Sequence, residues 1–156
     1  GGFNTSLSWK GFDLSAIFAY SIGGYIYNRD ITMILHNGSL EGRAWSTEIL
    51  RRWTPDNRYT DVTALSTTSN NWNSASTRFL QNNSYMRLKN LTLSYNLPKP
   101  WVSKLALSSV QVYVQGDNLF TIHKNQGLDP EQGITGITYY RYPAMRTISG
   151  GINIAF

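Results

Sequence analysis

The sequence contains no cysteine, which excludes a disulfide scaffold, thiolate catalysis and cysteine-based zinc sites. Charge is also scarce. Asp, Glu, Lys and Arg make up 15% of 156 residues, against roughly a quarter in an ordinary soluble domain. No run approaches about 18 consecutive apolar residues, so no transmembrane helix is written in the chain. Nucleophile elbows and phosphate-binding loops are missing too, and no catalytic group stands out. The two histidines, His36 and His123, are far apart and lack acidic or histidine neighbours at ligand spacing. Neither a metal site nor a cofactor is indicated. Although the net charge is +5, the Lys and Arg residues are dispersed, with Arg51-Arg52 the densest pair. That is too diffuse a footprint for a nucleic-acid partner. The chain opens on Gly1-Gly2-Phe3 without Met or a leader, so it is expected to be processed or a piece of something longer.

What is present is aromatic and alternating. Aromatics reach 13% and hydrophobics 41%, enough to exclude disorder. Phe3, Thr5, Leu7 and Trp9 alternate with Asn4, Ser6, Ser8 and Lys10, a period of two that predicts a strand with one apolar face. After Lys10-Gly11 a second run places Phe12, Leu14, Ala16, Phe18, Tyr20 and Ile22 on one side. The pair predicts a tight hairpin. Its second strand has the length of about 9–11 residues that a tilted bilayer span requires.

A third strand, 85–97, alternates through Leu91, Leu93, Tyr95 and Leu97. Extending that phase upstream would put Arg87 and Lys89 on the apolar face, so either that end lies beyond the apolar band or a β-bulge near Lys89-Asn90 flips the phase, the bulge being the preferred reading. Pro98-Lys99-Pro100 ends the strand. The Val110, Val112, Val114 row predicts a fourth strand over 109–119, and Ile148, Gly150, Ile152, Ile154, Phe156 a fifth over 146–156.

The connections are very short, very long (23–84), short, and long (120–145), the loop asymmetry of an outer-membrane barrel. That alternation would put the long loops outside the cell and the end of the chain at the periplasmic rim. Within the first long loop, Trp45, Ile49 and Trp53 recur at helical spacing. A helix over 40–53 is expected, with Ser39 as N-cap, a Glu48–Arg52 pair and Thr54-Pro55 as its stop. Gly42 weakens it.

Alternation alone also fits a soluble sandwich. Strand length, loop asymmetry, scarce surface charge and a terminal aromatic favour the barrel. The fold expected is all-β: five antiparallel strands in sequential order as an open curved sheet, five being odd and bacterial barrels using even numbers. Residues 1–156 would form one segment.

Several blocks then resemble one family. Arg52-Trp53-Thr54-Pro55-Asp56-Asn57, the run Ser84 to Pro98 containing Arg87-Leu88-Lys89-Asn90, Gly116-Asp117-Asn118-Leu119-Phe120-Thr121, Gly127-Leu128-Asp129-Pro130-Glu131, and Tyr142-Pro143 followed by Arg146-Thr147 occur in family order. Together they resemble the C-terminal barrel of SusC/RagA-family TonB-dependent outer-membrane transporters. Asp56 stands where the family pattern has Glu.

The resemblance implies a parent with a plug, earlier barrel strands and TonB-contacting segments outside this chain. It implies energised import of a glycan or peptide with a SusD-like lipoprotein partner. The partners implied are therefore outer-membrane lipid, the remaining barrel and plug, SusD-like lipoprotein, TonB and substrate. A passive pore or adhesin barrel, or a secreted carbohydrate-binding sandwich, are the alternatives. Phe156 would be the terminal aromatic read by the assembly machinery.

Trp45, Trp53, Tyr59, Trp72, Tyr139 and Tyr140 lie in the long loops, where strand burial does not account for them. They are candidates either for packing the loops on themselves or for contact with ligand or partner. Tyr20, Tyr25, Tyr27 and Tyr95 are expected in an interfacial girdle. Asp129 and Glu131 flank a proline and suit a turn better than a calcium site.

Overall fold

The computed structural model describes residues 1–38, 40–66, 68, 72, 74–125, 129–131 and 135–156. The chain divides into two compact units. The first comprises Gly1–Gly24, Asn83–Pro130 and Pro143–Phe156, and the second Tyr25–Asn82 and Glu131–Tyr142.

The first unit is a five-stranded sheet of β1 (Gly2–Trp9), β2 (Phe12–Ser21), β5 (Tyr85–Asn96), β6 (Ser109–His123) and β8 (Thr147–Ala155). The order is β1-β2-β5-β6-β8, every pair antiparallel. Its edge strands β1 and β8 do not meet. The hairpin between β1 and β2 turns on Lys10 (φ 46°) and Gly11 (φ 88°), the two left-handed positions of a type I′ turn whose twist matches the strands.

Register collects the apolar side chains into continuous rows. Trp9, Phe12, Tyr95, Val112 and Ile152 align, as do Leu7, Leu14, Leu93 and Val114, and on to Phe3, Phe18, Leu88 and Phe120. Phe3 stacks on Phe18 at 4.7 Å and Phe12 leans on Tyr95 at 4.5 Å.

The ladder shifts register at Lys89, and opposite it at Asn118-Leu119, so Leu88 pairs Phe120 while Asn90 pairs Asp117. One extra residue in β5 flips the phase. Arg87 thereby joins the polar side and Leu88 the apolar side. The second irregularity, in β6, turns on Asn118 at φ 52°. Asn and Asp tolerate that conformation better than other side chains.

This apolar face is left open. Leu93, Val112, Val114, Ile148 and Ile152 are all exposed. A soluble sandwich would bury Leu93 and the valine row under a second sheet, and the three-stranded sheet found elsewhere in the chain belongs to the other unit. The sandwich alternative is thereby set aside. Among the described residues no helix is long and apolar enough to cross a membrane.

The second unit is built from the two long connections, in which a helix over 40–53 was the one element expected. It has its own sheet, β4 (Leu80–Asn82), β3 (Tyr25–Asn28) and β7 (Ile137–Thr138), with β3 and β7 parallel. Tyr25 and Tyr27 are therefore strand residues of this small sheet, and Tyr27 packs edge-on against Phe79 at 6.1 Å. Helix α1 (Arg29–Ile34) follows β3 directly, with the Asn28 side chain accepting the Ile31 N–H as an N-cap. Leu35, Ile49 and Val62 form the core, with Ile31 and Trp72 packed against it.

The helix expected over 40–53 is only a 3₁₀ turn, Thr47–Arg51. Three features shorten it. Gly42 adopts φ 71°, Ser46 caps the turn by accepting the Glu48 N–H, and Asn57 and Thr60 take the Arg51 carbonyl that a continuing helix would use. With three residues per turn, Glu48 meets Arg51 in place of Arg52. The Ser39 cap expected from the sequence lies outside the described residues.

Candidate functional site

Around Arg87, family-motif blocks far apart in the sequence converge. The guanidinium sits on the polar side of β5 because of the bulge at Lys89. Its Nε donates to Thr121 Oγ1 on β6 at 2.9 Å, and a terminal amine donates to Asp129 Oδ1 in a direct ion pair. Side-chain exposure is 4% for Arg87 and 7% for Asp129. Both charges are thus withdrawn from water, a state tolerated only with a close partner. The second carboxylate oxygen of Asp129 accepts the Ala144 N–H at 2.7 Å. Beside the pair lies a cavity of about 350 Å³ lined by Arg87, Thr121, His123, Asp129, Pro130, Pro143 and Ala144.

The same side of the sheet carries a hydrogen-bonded polar track. Asn90 Nδ2 donates to Asp117 Oδ1 at 2.7 Å, Thr92 Oγ1 donates to Asn90 Oδ1 at 2.9 Å, and Gln115 Nε2 reaches Asp117 Oδ2 at 3.2 Å. Asn96 Nδ2 donates to Asp13 Oδ2 at 2.7 Å nearer the hairpin end. Such a wall is wettable, whereas the opposite face is not.

The loop aromatics take separate places. Trp72 donates its indole N–H to the Leu35 carbonyl at 2.5 Å, and Arg78 lies over its ring at 3.8 Å. Trp45 packs edge-on against His36 at 5.0 Å. Trp53 is half-exposed and donates its backbone N–H to Val62 O. With Trp72 it lines a groove of about 430 Å³ whose other walls include Asp61 and Thr63. Tyr59 is fully exposed. Tyr139 and Tyr140 meet edge-on at 5.0 Å, with Arg29 over Tyr139. Tyr140 is held at φ 44° with its N–H donating to Asp30 Oδ1 at 2.8 Å. Of the six, Trp53 and Trp72 share a groove, and the two tyrosines pack against each other.

The remaining motif residues are accounted for locally. Pro55 supplies a carbonyl to Arg58, and Asn57 closes a bridge to Thr54. Leu119 folds back over Gly116, and Asn118 Nδ2 donates to Met145 O at 3.2 Å. Pro130 is fully buried, while Glu131, Pro143, Arg146 and Phe156 are exposed. Gly127 and Leu128 lie outside the described residues. Asp117 and Thr121 stand in a family block but their partners were not foreseen, and Ala144 was not singled out, since only register and chain reversal bring them together.

Charges in the second unit respond to their surroundings. Burial pushes the His36 pKa below its ordinary value, with the charge of Arg43 acting in the same direction and the Arg43 backbone against it. Burial also lowers Arg78, opposed by Asp61, whereas the hydrogen bond to Glu48 raises Arg51. No group of potential metal ligands occurs among the described residues.

No family model matches the chain. Individual proteins do. A TonB-dependent receptor (P3) of Formosa agariphila is 36% identical over 99% of the chain, which spans 16% of that protein. The TonB-dependent receptor SusC of Bacteroides thetaiotaomicron is 27% identical over 99% of the chain, covering 15% of its length. In three dimensions the chain superposes on part of the RagAB peptide transporter with a TM-score of 0.88 and 35% identity, over 99% of the chain and 17% of that structure's. The chain therefore spans about a sixth of the proteins it matches.

Proposed function

Since these residues form a β-barrel segment of the SusC/RagA family of TonB-dependent receptors, we propose that the parent protein imports a large nutrient, a glycan or a peptide, across the outer membrane. In this reading the chain supplies the C-terminal strands of the barrel. The earlier strands and the plug complete the wall, TonB supplies the energy, and a SusD-like lipoprotein works with the receptor on the outside.

The observation that carries the proposal is the two-sided sheet. One face presents rows of Phe, Leu, Val, Ile and Trp left exposed, and the other a hydrogen-bonded polar track. A face of that kind belongs against hydrocarbon, and the polar face against a lumen. Both sheet edges are unpaired, as they must be when the neighbouring strands lie elsewhere in the parent. Relatives named as TonB-dependent receptors and as a peptide transporter support energised import.

Uptake tests the proposal. Deleting the parent gene should abolish growth on one glycan or peptide source, and inactivating TonB should abolish it equally. Growth that survives loss of TonB but not loss of the receptor would mark a passive pore. Growth unaffected by either deletion on every source tried would sink the import reading.

A further inference from the structure

We propose that the turn end of the five-stranded sheet, where Lys10, Lys99 and Lys104 gather, is a docking surface for the headgroups of anionic phospholipids. The inference rests on the barrel reading above and adds a lipid class to it. Register brings three segments of the first unit to one end: the Lys10-Gly11 turn, the connection from β5 to β6, and the last residues of β8. Trp9 stands there on the apolar face, beside Phe12 and exposed. The Lys10 ammonium lies 5.0 Å from the centre of the Trp9 ring. Its charge is thus carried to the border of the apolar face, the level at which a lysine reaches headgroups from hydrocarbon.

The connection from β5 to β6 repeats the combination. It is built of helix α2 (Lys99–Val102) and a 3₁₀ turn, Ser103–Leu105. Val102 is buried and seats it, whereas Trp101 and Leu105 are 64% and 71% exposed. Lys99 and Lys104 stand close to them in the chain and are exposed too. An open indole suits the membrane interface. Charge complementarity then names the occupant. Among the described residues none of the three lysines joins an ion pair. Asp13 is the one acidic residue in 1–21 and 85–116, and its carboxylate is taken by Ser8 and Asn96 on the polar face. A lipid phosphate supplies the missing negative charge, and its acyl chains cover Trp9, Trp101 and Leu105.

Native mass spectrometry of the full-length receptor, taken from vesicles of equal phosphatidylglycerol and phosphatidylcholine, counts the lipids that stay bound. Lys10→Gln/Lys99→Gln/Lys104→Gln should lower the retained ratio of phosphatidylglycerol to phosphatidylcholine by about tenfold. Lys124→Gln, just past the opposite end of β6, should leave the ratio at wild type. Trp101→Ser/Leu105→Ser keeps all three charges and should still lower the phosphatidylglycerol retained. Inorganic phosphate in excess should not displace the lipid, because it answers the lysines and not the apolar side chains. Should the triple variant fail to assemble, Lys10→Gln alone decides, with a loss of about threefold expected. Heat-modifiable migration of the same samples reports the barrel separately. A folded barrel whose lipid ratio survives removal of the lysines would overturn this docking surface and leave the import reading standing. Displacement by inorganic phosphate, or indifference to Trp101→Ser/Leu105→Ser, would overturn it equally by reducing it to a free-anion site. A receptor with no heat-modifiable form in any vesicle would remove both readings.

Discussion

A Cβ built on Gly116 would lie 2.6 Å from the Leu119 side chain, and that contact explains why the Gly-Asp-Asn-Leu-Phe stretch has its residue types. Asn118 takes the left-handed conformation that bends β6. The bend returns Leu119 over its own strand, and Gly116 is the residue with no side chain in the way. Gly116→Val should therefore force Leu119 out and destabilise the assembled receptor by about 1–3 kcal/mol, read as a lower urea midpoint for loss of the heat-modifiable band. A midpoint equal to wild type would mean that Leu119 does not pack there. Arg87 is the residue whose setting was partly legible in advance, because the phase that puts Leu93 on the apolar face puts Arg87 there too unless a residue is inserted or that end lies beyond the apolar band. The compensating shift at Asn118-Leu119 was not legible. Alternation in Val110, Val112 and Val114 ends before it, and nothing in residue type shows that β6 continues to His123.

Along an element, the same argument concerns faces. Thr92 and Leu93 are neighbours in β5 on opposite sides of the sheet. Thr92 belongs to the hydrogen-bonded track, and Leu93 to the exposed apolar rows with Leu14 and Val114. A lysine on the lipid side near the bilayer midplane costs about 2–4 kcal/mol, whereas lumen positions accept charge. Leu93→Lys should sharply reduce the folded receptor in outer-membrane fractions, and Thr92→Lys should leave it near wild type. Heat-modifiable migration of the two variants side by side provides the measurement. The reverse ranking would mean that lipid and lumen have been exchanged. Where periodicity failed was the helix over 40–53. Trp45, Ile49 and Trp53 do fall at helical spacing, but Ile49 alone of the three enters the core. The side-chain caps at Ser46 and Asn57 then fixed a single tight turn.

At the scale of the whole molecule, the chain's own rows must join a wall that other strands complete. β8 pairs β6 from Ser109–Ala155 to Asp117–Thr147, and Phe156 follows it with its ring exposed. Pairing in β8 leans on its isoleucines, because Tyr113 lies over Gly151 and Gly150 has no side chain to contribute. An aromatic at that point suits the membrane interface. Deleting Phe156 from the full-length parent, or replacing it with Asp, should lower the surface level and send the receptor to periplasmic degradation. Ala155→Asp, on the lumen side, should do much less. Immunodetection on intact cells compares them, and equal surface levels for wild type and the Phe156 deletion would remove this residue's assembly role.

The sequence by itself determined the five long strands, their alternation and their order, because a period of two and a two-residue turn are local properties that neighbouring residues write together. It also showed that charge and apolar phase conflict in β5, which a bulge or an end beyond the apolar band would each resolve; the register chose the bulge. Only the tertiary structure decided what the long connections are. The parallel pairing of Tyr27 with Ile137 and the meeting of Arg87 with Asp129 join residues 110 and 42 positions apart. Such pairings arise from chain reversals that no local pattern records. The physical difference is one of range: alternation is fixed by the backbone of each strand, whereas a buried charge such as Arg87 finds its partner only after residues distant in sequence have come together.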